Sequence, residues 1–224
     1  MARWVRDQSL SIFFLVLFLA ALAGQAYAGH LDYNEELQAH DDEPISLGRY
    51  VVSSKYGAAV MENWQSEYLQ FLLYITATIW FVQRGSNESK PPEDMGVESD
   101  EKQRVKGYAD EQSPRWARAK GIRLHLYSNS LLYVMGTIFL ASWFASSVTA
   151  WTEYNADQTD HEETAVSWLT YLGSADFWEK SLQNWQSEFL AVGTMAVFSI
   201  YLRQRGSPES KPVGAPHHET GTSG

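Results

Sequence analysis

Apolar residues in this chain gather into four long runs, at about 9–28, 64–82, 126–151 and 185–202, with polar stretches between them. By length and content each run is a candidate membrane-spanning helix. The pattern at 174–202 predicts one continuous helix. Ser174 is placed to cap its start, Asp176 lies in the first turn, and no proline or tight-turn signal follows. A matching helix should start near Ser53 or Ser54, weakened modestly by Gly57, and the two should stop at Gly85 and Gly206. Ala20, Gly24 and Ala28 in the first run, and Ala141, Ala145 and Thr149 in the third, recur every four positions and predict close-packing helix seams.

The chain also repeats itself. Asn63-Trp64-Gln65-Ser66-Glu67 returns as Asn184-Trp185-Gln186-Ser187-Glu188, and the Arg-Gly-Ser-x-Glu-Ser-Lys-Pro stretch that starts at Arg84 returns at Arg205. The offset is constant and carries Tyr33-Asn34 onto Tyr154-Asn155 and His40 onto His161, with about 26 identities over roughly 83 aligned positions. The expected fold is therefore all-α: a four-helix transmembrane protein made of two tandem parallel two-helix repeats. The first repeat covers 9–91 and the second 124–212. Composition makes 92–123 a flexible cytoplasmic linker and 213–224 a disordered tail.

Charge sets the orientation. Lys and Arg cluster before the first run, between the second and third, and after the fourth, whereas the other two loops are acidic. Positive loops stay on the cytoplasmic side, so both termini are expected inside and the repeats share one orientation. The first run also has the layout of a signal peptide ending in Ala26-Tyr27-Ala28. Because it aligns with an internal run, a retained helix is expected. The net charge is −10 in 224 residues and cysteine is absent, so neither nucleic-acid binding nor thiolate chemistry is expected.

Candidate chemistry is sparse. Only about 15 residues follow Glu67, and 14 follow Glu188, before the next polar segment. That is roughly 21–23 Å of helix, short of a hydrocarbon core of about 30 Å. Asn63, Gln65, Ser66, Glu67, Asn184, Gln186, Ser187 and Glu188 should then form a polar site at the membrane boundary. Two functional readings follow. Glu67 and Glu188 face each other and share a proton or cation, or the motif is a polar helix–helix lock. His30, His40 and His161 are weak metal candidates, with spacing unlike any recognised ligand pattern. The Arg-Gly-Ser-x-Glu-Ser-Lys-Pro copies read as helix caps with orientation charges, which leaves their Glu-Ser-Lys-Pro half without an account. No cofactor-binding signature is present.

On residues 23–30, 63–69, 184–190 and 204–211 the chain resembles a family of small bacterial membrane proteins known only as a domain of unknown function. The resemblance spans nearly the whole length. It implies an integral protein of the bacterial inner membrane and no catalytic residue, substrate or cofactor. Asn87, where the second copy has Pro208, departs from the pattern. The expected function is thus a non-enzymatic, structural or interaction role, with the lipid bilayer as partner, self-association left open and no nucleic acid. The alternatives are a small proton or cation transporter using Glu67 and Glu188, and an envelope metal-binding protein or enzyme.

Overall fold

Each apolar run folds as helix, and two of the helices continue well past their apolar part. The computed structural model describes residues 2–221. Among these there are eight α-helices and no strand: α1 (Ala2–Asp7), α2 (Ser9–Ala39), α3 (Leu47–Tyr50), α4 (Ser54–Trp80), α5 (Ile122–Ser128), α6 (Ser130–Asp160), α7 (Trp168–Leu172) and α8 (Ala175–Tyr201). The segment between α4 and α5 holds three short 3-10 turns, Pro92–Asp94, Lys106–Tyr108 and Arg115–Arg118. The starts of α2, α4 and α6, α8 are separated by the same 121 positions as the sequence identities.

α2 and α6 are 31 residues each, and they are the helices long and apolar enough to cross a membrane. α4 and α8 are not among them, because Glu62 and Glu67 interrupt one, and Asp176, Glu179, Lys180 and Glu188 the other. The apolar-run boundaries at 28 and 151 fall short of the true ends at Ala39 and Asp160. The acidic stretches that follow contain no proline, and the single glycine, Gly29, does not break the helix. Termination comes at His40 and His161, whose Nδ1 atoms lie 2.9 and 2.7 Å from the carbonyls of Glu36 and Asp157. The next residues, Asp41 and Glu162, turn left-handed at φ 61° and 58°.

Within one chain the spaced small residues of α2 meet no partner helix, whereas Thr149 of α6 packs close to Gly57 of α4. No residue of α2 is buried, and Ala20, Gly24 and Ala28 lie on its exposed surface. In α6 the buried positions are Ser142, Ser146, Ser147 and Ala150. Serine is tolerated there because its hydroxyl can bond back to its own helix, as Ser142 does to Ile138 O at 2.8 Å.

The chain divides into two compact units, Met1–Met61 with Ala145–Tyr171, and Glu62–Phe144 with Leu172–Gly224. The first is organised by side chains that stand in for missing backbone partners. Asn34 Oδ1 accepts from Ile45 N at 2.8 Å and its Nδ2 donates to Ile45 O at 3.0 Å. Asn155 makes the same pair with Val166, at 2.9 and 3.0 Å. Each asparagine therefore copies a β-ladder pairing and folds its loop back onto its own helix. The same carbonyls receive a ring nitrogen: His30 Nε2 reaches Ile45 O at 2.7 Å, and Trp151 Nε1 donates to Val166 O at 2.8 Å. Indole can only donate, whereas His30 Nε2 also lies 2.9 Å from the Asn34 Nδ2 donor. Above these bonds Tyr33 packs on Tyr50 and Tyr154 on Tyr171, with centroids 5.8 and 5.2 Å apart. Tyr50 and Tyr171 are almost fully buried.

Asn34→Ala should strip both partners from Ile45 except His30, at a cost of about 1–2 kcal/mol. Hydrogen exchange resolved to residues 42–50 should quicken at Ile45. An unchanged rate there would remove the asparagine from its structural role.

Candidate functional site

α4 from Glu62 onward and all of α8 belong to the second unit, and the starts of both helices are set locally. Ser174 Oγ accepts from Phe177 N at 3.2 Å, and Ser53 Oγ accepts from Tyr56 N at 3.3 Å. Three turns further on, each helix presents its Asn-Trp-Gln-Ser-Glu copy, and the two copies do different things. Gln65 and Ser66 are 1% and 2% exposed. Gln65 Oε1 accepts from the Trp185 indole at 2.7 Å, and Ser66 Oγ lies 3.4 Å from Glu188 Oε1. Gln70 adds a 3.3 Å bond to Glu188 O. The corresponding Gln186 and Ser187 are exposed, and Ser187 bonds only its own helix, to Asn184 O at 2.8 Å. Asn184 likewise donates back to Lys180 O at 2.9 Å. Glu67 is exposed, as is Asn63. The group that bonds the Glu188 carboxylate is therefore the Ser66 hydroxyl, and the motif is joined through Gln65, Ser66, Trp185 and Glu188.

Both helices end earlier than glycine placement implies, at Trp80 and Tyr201. Leu202 is already extended (φ −92°, ψ 156°). The reason lies in the motif that follows, which builds the same loop twice. Gln83 N is taken by Ser89 Oγ and Gln204 N by Ser210 Oγ, both at 2.9 Å, which diverts these amides from the helix. A turn closes from Ser86 N to Gln83 O and from Ser207 N to Gln204 O. Gly85 and Gly206 sit inside it at φ +89° and +83°, where a side chain would be strained. Ser86 and Ser207 hydroxyls then accept from Glu88 N and Glu209 N at 3.1 and 3.2 Å. The Glu-Ser-Lys-Pro half is thus the second side of a closed loop.

The lysine of each loop holds the chain that follows. Lys90 Nζ donates to Gly96 O at 3.2 Å and pairs with Glu98 at 3.0 Å. Lys211 is 1% exposed. Its Nζ donates to Gly85 O at 2.6 Å, to Pro216 O at 3.2 Å, and to His217 O and Glu219 O at 3.1 Å. Burial, and then the Arg203 charge, pull this ammonium below its ordinary value; the four carbonyls are what compensate its desolvation. The returning segments cap equivalent helix carbonyls, Gly96 N on Ile79 O at 2.7 Å and His217 Nδ1 on Ile200 O at 2.9 Å. Residues 213–221 therefore make specific bonds that their low-complexity composition does not reveal.

The histidines do not gather. His30, His40 and His161 each bond a nearby carbonyl, and among the described residues no group of three or more His, Asp or Glu is placed to hold a metal. The sequence marks Asn34, Asn155, Lys211, Glu88 and Glu209 as repeated positions but not what they do; the loops leave the two glutamate carboxylates free of any backbone duty.

Lys211→Ala should strip four carbonyls of one donor and cost about 1–3 kcal/mol, with faster proteolysis of the tail. Lys90→Ala, which breaks a partly exposed pair, should cost under about 1 kcal/mol. Equal losses in thermal unfolding would contradict the difference in burial.

The Glu98 carboxyl is held below the usual carboxylate range by hydrogen bonds from Lys90 and then Gln103. A depressed acid contributes stability above its unfolded value, about 4.3, and that contribution fades as pH falls through the folded value. Hydrogen exchange over residues 96–103 should accordingly be flat from pH 7 to 5, after correction for intrinsic rate, and rise below about pH 4. A rise already complete at pH 5 would refute it.

No curated protein and no solved structure matches this chain. Over residues 1–222 it matches one family, and it belongs to that family, described as Domain of unknown function (DUF6766).

Proposed function

We propose that the chain is a non-catalytic, multi-pass protein of the bacterial plasma membrane with a structural or interaction role. In this reading the Asn-Trp-Gln-Ser-Glu copies are polar helix–helix locks. The observation that carries it is the buried 2.7 Å bond from the Trp185 indole to Gln65. A buried amide with its partner fixes a helix pair, and few polar alternatives exist in lipid. Support for the membrane setting comes from α2, whose Phe13, Phe14, Leu15 and Val16 are all more than half exposed. Such a continuous apolar surface is satisfied by acyl chains rather than water.

The proposed topology has two in–out–in hairpins of one orientation, both termini cytoplasmic, with α4 and α8 completing the second and fourth crossings. Their apolar parts are short, so the motif dips towards the hydrocarbon or the bilayer thins to meet it. The exposed second-copy half, Gln186 and Ser187, is the surface left for self-association. A transport role through Glu67 and Glu188 is the less favoured reading, since Glu67 is exposed and Ser66 occupies the position beside Glu188.

A reporter fused after Pro92 should read cytoplasmic and one near Asp160 external. An external signal after Pro92 would instead fit a chain crossing only through α2 and α6. Gln65→Ala should lower thermal stability by about 1 kcal/mol. Gln186→Ala should leave stability unchanged while reducing cross-linking between chains. Proton flux in proteoliposomes that disappears with Glu67→Gln would overturn the structural role.

A further inference from the structure

Between α4 and α8 a crevice of about 220 Å³ opens beside the two closed loops. Phe71, Ala191, Val192 and Met195 form its apolar wall. Its polar end holds Tyr74, Glu88 and Glu209. We propose that this crevice binds a small organic cation with an apolar body, a monocyclic aralkylammonium by size and charge. Its ammonium lies between Glu88 and Glu209 and its ring against Phe71 and Met195.

Volume fixes the size class. An apolar cavity of about 150 Å³ accepts benzene, and drug-sized ligands need about 300 Å³ or more. The crevice lies between these values, with room for one ring and a short chain. The wall suits an aromatic guest, since a phenyl face and a thioether are both favourable neighbours for a ring.

Charge fixes the sign. Two carboxylates line the crevice and no Lys, Arg or His does. The lysines of the two loops are already engaged: Lys90 with Glu98 and Gly96 O, Lys211 with its four carbonyls. The Tyr74 hydroxyl donates to Glu88 Oε2 at 2.6 Å and holds that carboxylate at the polar end. Two carboxylates lining one crevice favour a cation there, and an ammonium with three donors can bond both.

The duplication supplies an independent argument. Glu88 and Glu209 are equivalent positions in the two loops. Loop closure uses only their backbone amides, through Ser86 and Ser207. Any residue with an amide would close the loop, so retention of glutamate in both copies answers to something outside the loop. Both carboxylates line the same crevice.

The test is calorimetric titration of the full-length chain in phosphatidylcholine nanodiscs, with empty nanodiscs as baseline. Phenethylammonium is the probe and 2-phenylethanol its neutral counterpart. Saturable one-to-one binding of phenethylammonium is expected, at least tenfold tighter than the alcohol. Glu209→Gln, at an exposed position, should weaken it about tenfold, and Ala191→Trp should abolish it by filling the crevice, with both variants melting as the parent does. Should either variant fail to fold, Glu209→Asp and Ala191→Leu carry the same comparison with smaller losses. No saturable binding, equal affinity for the alcohol, or indifference to both substitutions overturns the proposal.

Discussion

The structure depends on how helix-end carbonyls are satisfied. A helix leaves its last four carbonyls without intrahelical partners, and a carbonyl shielded from water is costly to leave unpaired. This chain answers with its own following segments. Gly96 returns to Ile79 O, His217 returns to Ile200 O, and Arg203 donates to the carbonyls of Ser199, Ile200 and Leu202. Segments of unremarkable composition thereby become part of the fold. Lys211 extends the principle, since one ammonium organises four carbonyls from two stretches of chain.

Seen this way, the residues shared by the two copies sort by what they do. Asn34 and Asn155, His40 and His161, Ser46 and Ser167, Ser53 and Ser174 close loops or cap helices, and each pair makes the same bond. Their identity follows from backbone chemistry, which tolerates few substitutes at such positions. Glu88 and Glu209 are different, because their amides alone close the loop. That difference is what separates residues retained for folding from residues retained for a ligand.

Legibility in the sequence followed the reach of each interaction. The starts of α4 and α8 were readable because a capping serine and its target amide lie three residues apart. The ends were not, since the deciding partners stand well downstream, Ser89 beyond Gln83 and Gly96 and His217 further on, with nothing local to announce them. Asn34 was noticed as repeated, but its partner Ile45 lies 11 residues on and nothing local announces it. The polar pentapeptide was found by repetition, whereas its asymmetry was invisible, because burial is decided by what packs against each copy. All-helical architecture and family membership were legible from periodicity and motif; two of the four expected crossings were apolar enough to stand on their own.

That asymmetry bears on mechanism. A pair of carboxylates that exchange a proton needs the two copies to present the same atoms to a common space. Here the first copy offers an amide oxygen and a hydroxyl, and the second answers with an indole and a carboxylate. One pentapeptide thus supplies both halves of a complementary contact, with Gln65 accepting from Trp185 and Ser66 donating to Glu188. A contact of this kind fixes the register of two helices, because shifting either by one residue separates donor from acceptor. The same complementarity has a second consequence. Gln186 and Ser187 carry the same amide and hydroxyl on an exposed face, so a chain that locks itself through one copy still presents the other. Duplication of a self-complementary motif therefore yields one internal contact and one outward-facing copy, and it is the outward copy that the proposed interaction role would use.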